Sequence, residues 1–302
     1  MAETTRADSM SHPAFLASQR PRRRWAFLRR LMHNHLVLIG GLVLAVMILA
    51  AVFAPIVAPA DPLEQSSDLL EPPSRTHLFG TDELGRDVFS RVVYGTRISL
   101  TIGLVAVAIA TVVGSIVGLV AGFLGGMTDN IAMRLIDILM AFPGIILAIL
   151  IMGTLGPSLI NVMIAVGISA IPWYARTVRA STLVVREYDH ILATRAIGAT
   201  TLRIMFRHAL PNVVAPVIVL STIGIAGAIL AISGLSFIGL GAQPPSPEWG
   251  SMLSQARVYL QQAWWIGTFP GIAIMLAVMS INVIGDALRD ALDPRMRGMV
   301  KE

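Results

Sequence analysis

Long apolar stretches alternate along this chain with short polar segments that carry nearly all of its charge. Residues 36–58 contain no charged side chain, and about 20 apolar residues suffice for a helix to cross a bilayer. Residues 98–123 are also uncharged. The pattern therefore predicts two membrane-spanning helices in the first third of the chain, separated by a polar loop over residues 59–97.

The rest of the chain predicts four more helices. Residues 138–175 are uncharged, which is too long for one span, and Gly156-Pro157 divides them because both residues interrupt regular structure. With the two earlier helices, this predicts an all-α integral membrane protein with six transmembrane helices. The four further helices are expected at about 133–155, 158–178, 212–240 and 266–284, within a transmembrane domain over residues 98–290.

Glycine and proline positions refine this picture. Gly114, Gly118 and Gly122 recur every four residues in the second predicted helix, a spacing typical of a face that packs closely on another helix. Pro143 and Pro172 are expected to kink the third and fourth helices, which membrane helices tolerate when neighbouring groups satisfy the freed backbone.

The polar loop at 59–97 has mixed charge and one amphipathic stretch. Leu84, Val88 and Val92 would lie on one face of a short helix. Such a helix is expected to rest on the membrane surface.

Arginine and lysine positions predict the orientation in the membrane. If both termini are cytoplasmic, 18 of the 23 basic residues lie inside, in residues 1–35, around Arg134, in residues 176–207 and near the C-terminus. Short cytoplasmic segments carry such an excess, so this topology is predicted. Residues 1–35 and 291–302 are then cytoplasmic, and the loop at 59–97 is extracytoplasmic.

A cleaved signal peptide is the alternative interpretation of the N-terminus, because basic residues precede an apolar run. The apolar core of a signal peptide covers about 7–15 residues, which is shorter than residues 36–58. Ala58-Pro59-Ala60 is also a poor cleavage site. A retained transmembrane helix is the preferred prediction.

Composition supports a membrane protein. The chain is 55% hydrophobic and 14% charged, whereas soluble domains carry about 25% charged residues. Its formal charge of +5 is explained by the cytoplasmic loops and not by nucleic acid. The absence of cysteine excludes disulfides and thiolate metal sites, and the six histidines have no metal-ligand spacing.

No pattern for enzyme chemistry is present. A phosphate-binding P-loop needs GxxxxGK[ST], and the single lysine of the chain is Lys301. Nucleophile motifs such as GxSxG and metalloprotease motifs such as HExxH are also absent. We therefore expect a protein that neither hydrolyses ATP nor binds a cofactor or metal itself.

The predicted spans contain no ionisable residue at their centres, which ion-coupled carriers normally need. Asp137 with Arg134, and Asp286 with Arg289, lie near span ends and are expected to form structural pairs. Any energy the protein uses must then come from elsewhere, or the protein is a passive channel.

The most distinctive polar segment covers residues 186–211. Before Gly198, the residues Tyr188, Ile191, Leu192 and Ala196 recur at helical spacing. After it, a second apolar stripe does the same, so two short amphipathic helices are expected to meet at this glycine. Pro211 is expected in the first turn of the next helix. The second stripe consists of Ala199, Leu202, Phe206 and Ala209.

This segment resembles the coupling loop of ABC importer permeases, whose pattern runs Glu-Ala-Ala, three residues, Gly, nine residues, an apolar residue, any residue, Leu-Pro. Leu192 stands where the family has glutamate, Thr194 replaces the second alanine, and His208 replaces the apolar residue. The resemblance implies that an ATPase subunit contacts this loop. Its implied coupling residues are Leu192, Ala193, Thr194, Arg195, Gly198, Ala199, Leu210 and Pro211.

Four other segments resemble the C-type permease subunit of dipeptide, oligopeptide and related importers. In order they are HLFGTDELGRDVFSRVVYGTRISL, MRLIDILMAFPGIILAI, GLGAQPPSPEWGSML and NVIGDALRDALDP. Together with the coupling loop they cover about residues 25–295. This resemblance implies a type I importer fold in the prokaryotic inner membrane.

The same resemblance implies the partners. They are a homologous B-type permease, two cytoplasmic ATPases that bind ATP and Mg²⁺, a periplasmic or lipid-anchored binding protein, and membrane lipid, which the basic coupling loop could also contact. The cargo implied is a dipeptide or oligopeptide, and glutathione, nickel and opine importers remain alternatives. A passive channel, a secondary carrier and a membrane-embedded enzyme are the rival classes. No substrate-lining residue is predicted.

Overall fold

The computed structural model describes residues 35–292, and every described element is helical apart from one isolated bridge between Thr81 and Asp87. The predicted cytoplasmic segment at 1–35, except its last residue, and most of the tail at 291–302 lie outside this range. The helices are α1 (His35–Val52), α2 (Ala54–Val57), α3 (Val88–Leu124), α4 (Gly126–Met140), α5 (Gly144–Leu155), α6 (Leu159–Val185), α7 (Asp189–Ala196), α8 (Thr201–Ile204), α9 (Leu210–Phe237), α10 (Trp249–Ala256) and α11 (Trp265–Leu292).

Six membrane spans fit this arrangement. Helices α1, α3, α6, α9 and α11 are each long and apolar enough to cross a bilayer. The pair α4 and α5 forms the sixth span if both are counted together, although they are bent by 88°. The expected kink at Pro143 is therefore a break, because Pro143 lies between the two helices and has no N–H to continue the ladder.

The second span begins earlier than predicted. Helix α3 starts at Val88, ten residues before the expected boundary at 98. Asp87 caps it, because its side chain accepts a hydrogen bond from the Ser90 N–H at 2.8 Å. The predicted interfacial helix is thus the first part of α3, where Val88 and Val92 are buried, while Leu84 lies in a turn outside it.

Three other boundaries also differ from the predictions. The span expected at 158–178 continues to Val185, and the one expected at 266–284 continues to Leu292. Both extensions are polar or amphipathic, so hydropathy alone underestimates them. The first span breaks at Phe53 before the short helix α2.

The glycine pattern in α3 brings this helix into close contact with α6. A Cβ atom added at Gly118 would lie less than 2.5 Å from the Ala175 carbonyl oxygen, and one at Gly114 would lie 2.5 Å from the Tyr174 Cβ. Larger side chains therefore cannot occupy these positions without moving α6. The structure confirms the close-packing face that the spacing predicts.

The apolar core lies between α3, α5, α6 and α9. It contains small and branched side chains that allow the helices to approach closely. Its fully buried members include Ile102, Ala106 and Ala110 of α3, Met152 of α5, Val162 and Ala165 of α6, and Ile232 and Leu235 of α9. The coupling segment lies at one end of this bundle and the long polar loops lie at the other, and each packs on an apolar cluster of its own.

Candidate functional site: the coupling element

The coupling element, which we define as residues 189–209, consists of α7, a turn at Gly198, α8 and a π-helical turn over Met205–Ala209. Gly198 has a φ of +84°, a conformation that side chains with a Cβ rarely adopt. The Ala199 N–H donates to the Thr194 carbonyl oxygen at 3.3 Å and closes the turn. The predicted helix-turn-helix therefore exists, and its glycine is required by the backbone.

Pro211 lies in the first turn of α9, as the sequence predicts, but no break separates α9 from the coupling element. The π-helical turn joins α8 directly to α9, and the Leu210 N–H donates to the Met205 carbonyl oxygen, five residues back. A π turn shifts the hydrogen-bond register, which accommodates a residue without an N–H. From Thr201 onward, the coupling element is consequently continuous with α9.

One face of the coupling element packs on the bundle. Ile191 of α7 and Ile204 of α8 are buried, with 0% and 1% of their surface exposed. Both pack against the ends of α3 and α6. The other buried members of this cluster are Leu119, Phe123, Val178, Val185, Met205, Ala209 and Val213.

The opposite face exposes large apolar side chains. Ile197 is 84% exposed, Leu202 66% and Phe206 52%. The predicted stripe of Ala199, Leu202, Phe206 and Ala209 is therefore divided, because Ala209 is buried and Ala199 is half-buried while Leu202 and Phe206 point outward. An uncovered apolar surface of this kind is typical of a binding interface.

The predicted coupling residues are distributed over both faces. Leu192, at the position where the family pattern has glutamate, is 44% exposed. Ala193 and Pro211 are also exposed, while Leu210 is half-buried against the cluster. The Thr194 hydroxyl donates to the His190 carbonyl oxygen at 2.6 Å, and the Arg195 guanidinium lies 5.9 Å from the centre of the Phe123 ring.

At the other end of the bundle, residues 58–87 and 238–264 form what we call the cap. Its centre is a buried ionic cluster in which the Asp82 carboxylate accepts from Arg86 Nε at 2.7 Å and lies 3.4 Å from Arg91 Nε. Arg86 Nη2 also donates to Gln255 Oε1 at 3.1 Å, which ties the two segments together. All three charged side chains of this cluster are at most 3% exposed.

Two tryptophans fix the cap to the helix bundle, because each makes a hydrogen bond between a cap residue and α3 or α11. The buried Trp249 donates its indole N–H to the Val92 carbonyl oxygen at 3.1 Å, and Trp265 donates to the Thr81 carbonyl oxygen at 3.0 Å. Each bond joins residues more than 150 positions apart. The cap is therefore a fixed structure and not a loose loop.

Glu248 caps helix α10 from a buried position. Its carboxylate accepts from the Gly250 N–H at 2.9 Å and from the Ser251 N–H at 2.8 Å. Burial raises the pKa of Glu248 above its ordinary value, and the two backbone donors oppose this by stabilising the charged form.

Charges at the coupling end pair differently from the prediction. Asp137 does not pair with Arg134, three residues before it, but with Arg176 of α6, whose Nη2 lies 2.6 Å from Asp137 Oδ1. Asp129 and Arg179 form a second, bidentate pair at 2.5 and 2.6 Å between the same two helices. Sequence reasoning missed both pairs, because they depend on α4 and α6 being neighbours.

A cavity of about 260 Å³ opens between α3, α5, α6 and α9. Its walls consist mainly of small and apolar side chains, and Trp173, Tyr174 and Ser169 supply the larger and polar groups. Within residues 35–292, no group of three or more His, Asp or Glu side chains is close enough to hold a metal ion.

The fold and the coupling element define a transport permease, and comparison with known proteins gives the same class. Residues 114–298 match the family model of the binding-protein-dependent transport system inner membrane component, and residues 24–73 match that of the N-terminal transmembrane domain of oligopeptide transport permease C. The chain belongs to this family of ABC importer permeases. It is therefore a multi-pass inner-membrane subunit that works with a partner permease and ATPase subunits.

Individual relatives are similar over most of the chain. The di/tripeptide transport system permease protein DppC of Pseudomonas aeruginosa is 47% identical over 90% of this chain and 92% of its own length. The dipeptide transport system permease protein DppC of Escherichia coli is 46% identical, with the same coverage. An inward-facing structure of the MetNI methionine ABC transporter matches with a TM-score of 0.55 at 21% identity, covering 67% of this chain and 96% of that chain, and shows the fold alone.

Proposed function

We propose that this chain is the C-type permease subunit of an ABC importer for dipeptides and oligopeptides. The family membership gives the class, and the peptide transport functions of relatives at 46–48% identity support the peptide cargo. The partners would be a B-type permease, two ATPases that bind ATP and Mg²⁺, and a substrate-binding protein on the outer face.

The observation that carries the mechanism is the exposed apolar face of the coupling element. Ile197, Leu202 and Phe206 lie on a segment that is continuous with α9 and fixed to α3 and α6 by the buried Ile191 and Ile204. An ATPase that binds this face can therefore move the permease helices as rigid bodies. Such movement alternates access to a central path.

Leu192, which stands where the family pattern has glutamate, is consistent with this proposal. Leu192 is exposed and adds to the apolar face. The ATPase groove would then recognise this subunit by apolar contact at a position where the family pattern places a charge. The basic side chains of this segment would contact the rim of the groove or anionic lipid.

The experiment places one charge on the proposed interface. Leu202→Asp should lose ATPase subunits on purification of the tagged importer and lower ATP-dependent uptake at least about tenfold, because burying one unpaired carboxylate costs more than the 1.4 kcal/mol that a factor of ten represents. Val258→Asp is the matched control, since Val258 is 74% exposed at the opposite end.

Both variants should insert in the membrane and unfold at the same temperature as the unsubstituted protein, because neither position is buried. The Val258→Asp importer should retain its ATPases. If Leu202→Asp also retains them and transports normally, the coupling face is not the ATPase contact.

A further inference from the structure

The ion pair between Arg176 and Asp137 is placed unusually. It joins α6 to α4 near the coupling end of two helices of the membrane region, and its side chains are 48% and 59% exposed. Exposed apolar residues of the same helix, Leu135 and Ile138, flank Asp137. Charged groups within membrane spans face the protein interior or a water-filled cavity, since contact with lipid hydrocarbon is costly.

The neighbouring pair provides a contrast. Arg179 and Asp129 are only 33% and 15% exposed and make two parallel hydrogen bonds. That pair joins α4 to α6 at this end, beside the apolar contacts of Ile136 with Ile171 and Ala175. The Arg176–Asp137 pair makes only one hydrogen bond, and about half of each side chain is exposed. The guanidinium therefore keeps N–H groups that can donate, and the carboxylate keeps an oxygen that can accept.

The open pair continues a surface that lines the cavity. Trp173 lies one helical turn before Arg176 on α6, is 63% exposed, and forms part of the cavity wall. Ser169 adds a hydroxyl one further turn back. A path from the cavity toward the coupling end therefore passes an indole face and then a cation and an anion together.

We propose that Arg176, Asp137 and Trp173 form a transient binding site for the charged ends of a zwitterionic peptide in the translocation path. This inference rests on the proposed function as a peptide permease. The Arg176 guanidinium would bind the terminal carboxylate, whose planar geometry it matches. The Asp137 carboxylate would accept from the terminal ammonium, and the indole would contact the side chains.

This site would also explain why a charged cargo can pass an apolar bundle. When no peptide is present, the two side chains neutralise each other. When a peptide binds, its carboxylate pairs with Arg176 and its ammonium pairs with Asp137. Each charged side chain therefore keeps a partner of opposite charge. The site needs no net protonation change and no energy source of its own.

The test uses the complete importer in proteoliposomes with saturating binding protein, and radiolabelled alanyl-alanine as the probe. Arg176→Gln and Asp137→Asn should each lower maximal uptake by about tenfold, the loss of one hydrogen bond to a charged group, while ATP hydrolysis stays within about twofold. Arg176→Lys should restore most of the uptake, because it keeps the charge.

Arg179→Gln is the comparison for a purely structural role. It should lower uptake, ATP hydrolysis and thermal stability together, because it removes the ion pair with Asp129 that joins α6 to α4. If Arg176→Gln behaves in the same way, or leaves uptake unchanged, the peptide site is wrong.

A lipid headgroup is the other anion that Arg176 could bind, and the vesicle composition distinguishes it. The Arg176→Gln defect should be equal in vesicles of pure phosphatidylcholine and in vesicles containing phosphatidylglycerol. A defect confined to the anionic vesicles would overturn the proposal. Failure of the unsubstituted importer to take up any peptide would instead contradict the proposed function.

Discussion

At one end of α9 the coupling element exposes Ile197, Leu202 and Phe206, whereas at the other end the cap buries Asp82 and Arg86. Apolar side chains, which are usually buried, are thus exposed at one end, and charged side chains, which are usually exposed, are buried at the other. In the cap, the buried Asp82 carboxylate forms ion pairs with Arg86 and Arg91 of the same chain. In the coupling element, apolar side chains have no covering partner among the described residues.

This difference indicates how each end works. A buried ionic cluster costs desolvation, and it is strongly destabilised when one partner is lost, so the cap holds one arrangement. An exposed apolar face costs stability in the free subunit but gains binding energy on contact. The cap is therefore stabilised by contacts within the chain, and we expect the exposed face of the coupling element to be covered in the assembled importer.

The largest effect is expected from removing the centre of the cap cluster. Asp82→Ala leaves Arg86 and Arg91 without their shared carboxylate in a buried site, which should lower the free energy of unfolding by about 3–5 kcal/mol. The measurement is thermal unfolding of the detergent-solubilised protein. If Asp82→Ala still folds, the importer that contains it should keep its ATPase subunits, because the substitution does not change the coupling element.

Asp61→Ala is the control for this prediction. Asp61 is exposed, and its carboxylate accepts one hydrogen bond, from the Leu63 N–H at 2.8 Å. We expect a change below about 1 kcal/mol. Equal effects of the two substitutions would show that the buried cluster does not stabilise the cap.

Two glycines with nearly the same backbone allow the ends to be compared directly. Gly198 has a φ of +84° and Gly239 a φ of +86°, and an added Cβ would meet no atom within 4 Å at either position. Substitution by Val should cost each about 1–3 kcal/mol in backbone strain. The losses of stability should therefore match.

Function should separate the two variants. Gly198→Val changes the angle between α7 and α8, so the importer should lose stimulated ATP hydrolysis and uptake while the subunit still inserts. Gly239→Val should retain its ATPases. Normal transport by Gly198→Val would mean that the turn does not set the geometry of the ATPase contact.

The smallest effect is expected at Glu248. Because the pKa of the buried carboxyl is raised in the folded protein, the folded state binds the proton more tightly than the unfolded chain. Stability should therefore increase as the pH falls from that raised pKa to the ordinary glutamate value, and stay constant below it. Glu248→Gln should remove this dependence, measured as unfolding temperature against pH.

The hydropathy pattern was sufficient for the existence and order of five spans, because each must be apolar along its own length to lie in a bilayer. The helix predicted at 133–155 is instead the bent pair α4 and α5, which counts as a sixth span only if both are taken together. The glycine at 198 could also be predicted, since the need for a left-handed backbone belongs to one residue. The start of α3 at Val88 was missed because its first turns are buried by the cap and not by lipid.

The sequence by itself thus determined the apolar spans, the close-packing glycines of α3 and the turn at Gly198. Each of these follows from properties of one residue or one helix. Only the tertiary structure decided that Asp137 pairs with Arg176, that Leu202 faces outward while Ala209 faces inward, and that the cap charges are buried. These features depend on which helices are neighbours, and the packing of the whole bundle sets that.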